Sequence, residues 1–217
     1  MSEPLLAPTF LFRFSAPCQY HKDLWPSSGL SFDESRRLPS FGELEGRPIF
    51  ADVRGAWSEK GLSFWVQVTG KRQLPWCRDS RLDDSDGLSV WIDTRNTKDI
   101  HRASRFCHRF VFLPAGTGRR LDEPVAAMTP IHRAKEHPKP PQAGSLQVRS
   151  AKRPGGYVLE AHIAATALTG FDPDEHPRLG FAYAVIDREL GWQTFTVGPE
   201  FPFAEDPSLW GELQLVR

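Results

Sequence analysis

Alternation of apolar and polar residues with a period of two is the feature that most narrows the folds open to this chain. In "GLSFWVQVT", Leu62, Phe64, Val66 and Val68 fall on one side of an extended backbone. Ser63, Trp65, Gln67 and Thr69 fall on the other, because successive side chains of a strand point to opposite faces. "GLSVWID" repeats the rhythm, with Leu88, Val90 and Ile92 against Ser89, Trp91 and Asp93. "CHRFVFL", "GYVLEAHI", "RLGFAYAVID" and "WGELQLV" do likewise, each bounded by Gly, Pro or Asp. Short strands punctuated by turn residues predict an all-β chain, an antiparallel β-sandwich of immunoglobulin or jelly-roll type rather than βαβ units. In "AWSEKGLSF", Gly61 supplies the positive φ that closes a hairpin with a bulge.

Two stretches depart from this rhythm. "AATALTGF", Ala164 to Phe171, predicts one short helix ended by Gly170. Residues 115–146 are Pro-rich and basic and show no period, so they read as a long irregular surface insertion, partly ordered. The 217 residues suit one domain spanning 1–217.

Charge then removes whole classes of function. Lys plus Arg and Asp plus Glu are equal at 27 each, whereas binding to nucleic acid or a membrane surface calls for a net basic face. No run of about 18 apolar residues marks a membrane span. The opening "MSEPLLAPTFLFRFSAP" lacks a basic n-region and a continuous apolar core, and three scattered cysteines form no disulfide framework. The expected location is the cytoplasm.

Fitting "DDSDG" to an EF-hand with Gly87 at the sixth position puts Leu82 first, where an oxygen ligand is required. Asp84 and Asp86, with backbone carbonyls, remain candidates for a structural calcium; the plainer reading is a solvated turn whose carboxylates bond nearby amides. No other cofactor is expected. His101, His108, His132 and His137 lack any zinc-site spacing. No Gly-x-Ser-x-Gly is present, and Asp93, His101 and the turn between them come without an assignable nucleophile, so the chain reads as non-catalytic.

Five stretches, taken in order, carry a resemblance. "DVRGAWSEKGLSFWVQV", "DGLSVWID", "GYVLEAHIAATAL", "GFAYAVID" and "DPSLWGELQLV" resemble the family 9 carbohydrate-binding modules and the wider DOMON-like β-sandwich group. The resemblance runs from about residue 50 to the C-terminus and implies a sugar held between aromatic rings with polar side chains around it. A pyranose stacks its C–H patch on an indole face while its hydroxyls seek hydrogen-bond partners. It places Glu160 and Asp187 in scaffold motifs, and gives the haem-binding DOMON-like variant only Met128, the lone interior methionine, as a sulfur ligand.

Carried over residue by residue, Trp76 in "LPWCRD" resembles the Trp-x-x-Asp that precedes the family's acidic strand. Ser89 stands where many members have Glu. A family Arg on the next strand aligns roughly with Phe110, with His108 two residues earlier on the same face. Ala204 replaces a second stacking Trp, with Phe203, Phe201 and Trp192 near enough to substitute. The implied ligand-binding set is therefore Trp76, Trp192 or Phe203 for stacking, with Arg78, Asp86, Ser89 and His108 for hydroxyl contacts. Trp91 is a further aromatic on the polar register; Trp65 shares that register, and either residue faces a ligand or a covering layer. Trp57 and Trp210, inside scaffold motifs, are expected in the core.

Two functions from different classes follow. The first is a module that binds a small carbohydrate, with a link to carbohydrate catabolism. The second is a non-catalytic sandwich repurposed for a protein partner or a second copy, using the apolar face of His108, Phe110 and Phe112 with 115–146 as its cap.

Overall fold

The computed structural model describes residues 11–217. Eleven strands are present there: β1 Ser15–Tyr20, β2 Ala51–Ser58, β3 Gly61–Thr69, β4 Gly87–Asp93, β5 Cys107–Thr117, β6 Glu123–Thr129, β7 Leu146–Arg153, β8 Gly156–Ala164, β9 Arg178–Asp187, β10 Gly191–Thr194 and β11 Gly211–Val216. They join in the order β6-β5-β4-β9-β11-β1-β2-β3-β8-β7, with β10 added beside β9. The two ends of this path approach each other, since β7 lies against β5 and β6 and the Ser150 hydroxyl donates to the Pro114 carbonyl. One continuous sheet is thus folded over on itself around one main core, as an all-β sandwich.

The alternating residues account for that core. Leu62, Phe64, Val66 and Val68 of β3 meet Leu88, Val90 and Ile92 of β4 in one buried cluster. Aromatic rings fill its centre: Phe64 stacks on Phe181 with centroids 6.0 Å apart, and Phe181 meets Phe195 edge-on at 5.2 Å. Such pairs add about 1 kcal/mol each to the burial of their area. Trp57 and Trp210 are buried as expected, their indole N–H groups donating to the carbonyls of Val216 and Phe203.

The β2–β3 hairpin closes with Ser58 paired to Gly61. Gly61 has φ of 135°, and a Cβ there would collide with the Ile163 carbonyl oxygen of β8, so the turn demands glycine twice over.

Three local expectations change. β1 runs parallel to both β11 and β2, so the sheet is not antiparallel throughout. The predicted helix at 164–171 shrinks to a 3-10 turn at Ala165–Ala167. Residues 115–146 are not irregular throughout: β5 extends to Thr117, and β6 adds a further strand paired to it through Phe110↔Met128 and Phe112↔Ala126. Small side chains such as Ala126 and Ala127 hide this strand, because they score as neither face of an alternating pattern. No helix among the described residues is long and apolar enough to cross a membrane.

Candidate functional site

The residues singled out in the sequence separate into one exposed cluster, one sealed patch and isolated positions. The sealed patch lies on the outer face of β4, β5 and β9. Trp91 pairs with Arg109 on one side and Ala182 on the other, and Ser89 pairs with Val111 and Ala184, so these side chains share a face. A cover made of Ala103, Ile131, Val197, Phe203 and Trp210 closes over them. Trp91 is 1% exposed and packs edge-on against Phe203 at 5.2 Å; Phe203 and Ser89 are buried with it. These three residues present no open surface to a ligand: Ser89 and Phe203 are not the ligand contacts expected of them, and of the two alternatives for Trp91 the covering layer holds.

The sequence comparison had also missed a residue of this face. Arg109, not Phe110, stands beside Ser89 and Trp91, with its guanidinium 5.1 Å from the Trp91 ring centroid and 2.6 Å from the Asp83 carboxylate. Phe110 points into the main core. The pairing Trp91↔Arg109 is the signal that fixes the register, and a slip of one residue moves a side chain to the opposite face. The Nε atoms of Trp91 and Arg109 are buried without hydrogen-bond partners.

His108 is likewise not on a ligand surface. It pairs with Ile92, faces the interior at 0% exposure and lies parallel to the Phe110 ring at 5.9 Å. Its Nε2 accepts from the Thr169 amide at 2.9 Å, and burial pulls its pKa down to about 4, so it is neutral near pH 7.

The exposed cluster forms around the segment between β3 and β4. Lys71, buried just beyond β3, bridges two carboxylates: its ammonium lies 3.1 Å from Asp86 and against Asp187. Burial alone would lower the Lys71 pKa, but the two acidic partners outweigh it and hold the pKa above its usual value. Asp86 also accepts from the backbone amides of Trp76 at 3.0 Å and Arg188 at 2.9 Å. This network fixes the Trp76 backbone between the ends of β4 and β9. It also occupies the carboxylate offered for calcium: Asp86 is bonded to Lys71, and Asp84 pairs with Arg81. Among the described residues no group of three or more His, Cys, Asp or Glu could hold a metal.

On this base the Trp76 ring is half-buried and ringed by guanidinium groups, Arg188 at 3.6 Å, Arg78 at 5.3 Å and Arg81 at 5.7 Å from its centroid. A cavity of about 200 Å³ opens beside it, lined by Gln73, Leu74, Trp76, Arg188 and Glu189, with Lys71 and Asp86 at its base. The Arg78 guanidinium donates to the Cys77 carbonyl and its backbone amide donates to the Ser85 hydroxyl oxygen, so its backbone is set by the same loop. Of the residues proposed from the sequence, Trp76, Arg78 and Asp86 therefore come together. Trp192, 38% exposed, stands on β10 opposite Ile186. Gln73, Arg188 and Glu189 were not anticipated; they lie in turns, where no periodicity marks them.

Two arrangements with catalytic side chains fail on geometry. Ser208 and Asp206 both meet Nδ1 of His101, at 3.1 and 3.0 Å, whereas a triad needs hydroxyl and carboxylate on opposite ring nitrogens. Ser63 lies 2.8 Å from His162, but its hydroxyl proton goes to the Leu24 carbonyl at 2.6 Å.

Comparison with known proteins gives a consistent picture. A family model described as carbohydrate family 9 binding domain-like matches residues 40–217. The search of curated proteins found no match. Among solved structures, the chain is similar to a family 9 carbohydrate binding module from Caldicellulosiruptor kristjanssonii in complex with cellotriose, at 13% identity and a TM-score of 0.59, over 94% of each chain. It is similar to a family 9 module from the same organism in complex with glucose, at 13% identity and a TM-score of 0.60, over 94% of this chain and 97% of that one. Likeness at this identity is likeness of fold.

Proposed function

We propose that this chain, which belongs to the carbohydrate family 9 binding domain-like family, binds a small carbohydrate without transforming it and so serves carbohydrate catabolism as a recognition module. The observation that carries the reading is the half-exposed Trp76 indole at the rim of a cavity whose other walls, Leu74 apart, are polar. A sugar ring lays its C–H face against the indole, while Gln73, Glu189 and Arg188 supply acceptors and donors for its hydroxyls. At about 200 Å³ the cavity suits one sugar ring or the end of a chain rather than an internal stretch of polysaccharide. One stacked ring with a few solvated hydrogen bonds gives roughly 4–8 kcal/mol, hence dissociation constants from millimolar to micromolar.

Calorimetric titration with glucose, cellotriose and a panel of other sugars tests this. At least one sugar is expected to saturate the protein, and Trp76→Ala to weaken it about tenfold or more. Flat titrations across the panel, or a Trp76→Ala variant that binds as well as the parent, would overturn the reading. A second reading, docking of a protein partner or a second copy, draws on Leu74, which is 73% exposed in the wall of the same cavity. A Leu74→Ser variant with unchanged mass in light scattering and unchanged sugar binding speaks against it.

A further inference from the structure

We propose a second ligand groove, on the outer face of β3, β8 and β7, which takes an anionic sugar: a hydroxylated ring bearing one acidic group. It shares no lining residue with the Trp76 cavity. At about 630 Å³ it is also roughly three times larger.

The groove is built by register. Trp65 of β3 pairs with Glu160 of β8, which pairs with Arg149 of β7, so indole, carboxylate and guanidinium stand in one row across three strands. One step along the same face, Gln67 pairs with Val158, and Val158 with Ala151. Val158 and Ala151 make an apolar floor beside the half-buried indole, with the polar Gln67 at its side.

The roof is the segment from Ser27 to Leu30, and it is fixed in place. The Ser63 hydroxyl donates to the Leu24 carbonyl at 2.6 Å, Arg149 to that of Pro26 at 2.8 Å, and Arg54 to that of Phe32 at 2.7 Å. Arg149 also lies over the Trp25 ring at 3.9 Å. Gly29, at φ of 92°, lets the roof descend onto Glu160, since even a Cβ there would sit 3.0 Å from Oε1. The groove is therefore formed before any ligand arrives, which spares the cost of ordering a loop.

Its chemistry selects the ligand class. Arg54 lies 4.9 Å from the Trp65 centroid and is held by Asp52, and the half-buried indole lines the groove, where it offers apolar surface to a C–H face. Glu160 lines the groove as well, its Oε2 paired with Arg149 at 3.6 Å and its side chain 15% exposed, so the carboxylate sets the position of Arg149 beside the ligand. Gln67 and the exposed Ser27 and Ser28 add donors and acceptors. Two arginines line the groove against one glutamate, and no carboxylate among the described residues lies within ion-pair distance of the exposed Arg153. Its guanidinium, which donates from one nitrogen to the neighbouring Lys152 carbonyl at 3.2 Å, is the recognition element for an acid group, which it binds through its remaining N–H donors.

Titration at low salt, followed by NMR, with glucuronate, glucose 6-phosphate and glucose tests the proposal. One or both anionic sugars are expected to saturate the groove with an affinity that falls as salt rises, and the two arms separate carboxylate from phosphate. Arg153→Glu is expected to weaken that binding about tenfold or more, and Gln67→Ala to weaken it less, with both variants keeping the parent thermal transition. Trp76→Ala leaves anionic-sugar binding intact, so failure here and failure of the Trp76 reading are distinguishable. No saturation by either anion, equal binding in Arg153→Glu, or loss of binding in Trp76→Ala would each overturn the proposal.

Discussion

His108 is a candidate for sugar contact because it alternates with Phe110, the position with which a family Arg roughly aligns. Alternation states which residues share a face; it does not state which face the rest of the chain covers. For Trp91 the cover arrives from Phe203 and Trp210, more than a hundred residues away, and no local pattern announces it. Trp76 was legible for the opposite reason: it sits in a turn-rich stretch with no strand partner to absorb it. Burial gives His108 a measurable signature. Its folded pKa of about 4 lies below the usual value near 6.5, so the unfolded chain takes up the proton first. The stability it permits is fully present above pH 6.5 and is lost as pH falls towards 4. His162 shifts in the same direction, also through burial. Urea unfolding is expected to show about 2 kcal/mol lost through His108 between pH 8 and pH 5. A His108→Gln variant flattens that part of the profile; an unchanged profile would show that the imidazole is not enclosed.

Between elements, the Lys71 bridge decides how the Trp76 segment is held. Its ammonium joins Asp86, at the start of β4, to Asp187, at the end of β9. The Asp187 carboxylate further accepts from the amides of Glu189 and Leu190, and so shapes the turn into β10. "DDSDG" offers Asp84 and Asp86 as a cation site; instead Asp84 pairs with Arg81, while the Lys71 ammonium is shared by Asp86 and by Asp187 from the end of β9. Removing it strands two buried negative charges. Lys71→Met is expected to destabilise the fold by about 3–5 kcal/mol in denaturant titrations and to weaken sugar binding by loosening the Trp76 backbone. A loss below about 1 kcal/mol would mean that the bridge is solvated. Strands β3, β4, β8, β9 and β11 were readable from their periodicity. β6 and β7 were not, because "EPVAAMT" and "LQVRSAKR" are half-buried edge strands carrying small or polar residues on both faces.

For the molecule as a whole, folding one sheet over one core leaves two outer faces with different fates. One is sealed over Trp91 by the long connection before β11, and the proposed sugar site lies at its edge beside Trp76. The other keeps an open groove at Trp65 under the 27–30 roof. Family membership fixes the scaffold, while the site proposed at Trp76 rests on the geometry of this chain's own residues. The seven indole N–H signals make the sharpest probe of that arrangement. In a two-dimensional NMR titration with the best-bound neutral sugar, the signal that disappears in Trp76→Phe is expected to shift and saturate. Those of the buried Trp57, Trp91 and Trp210 stay in place. Saturating shifts confined to other indoles, or none at any sugar concentration, would contradict a recognition site at Trp76.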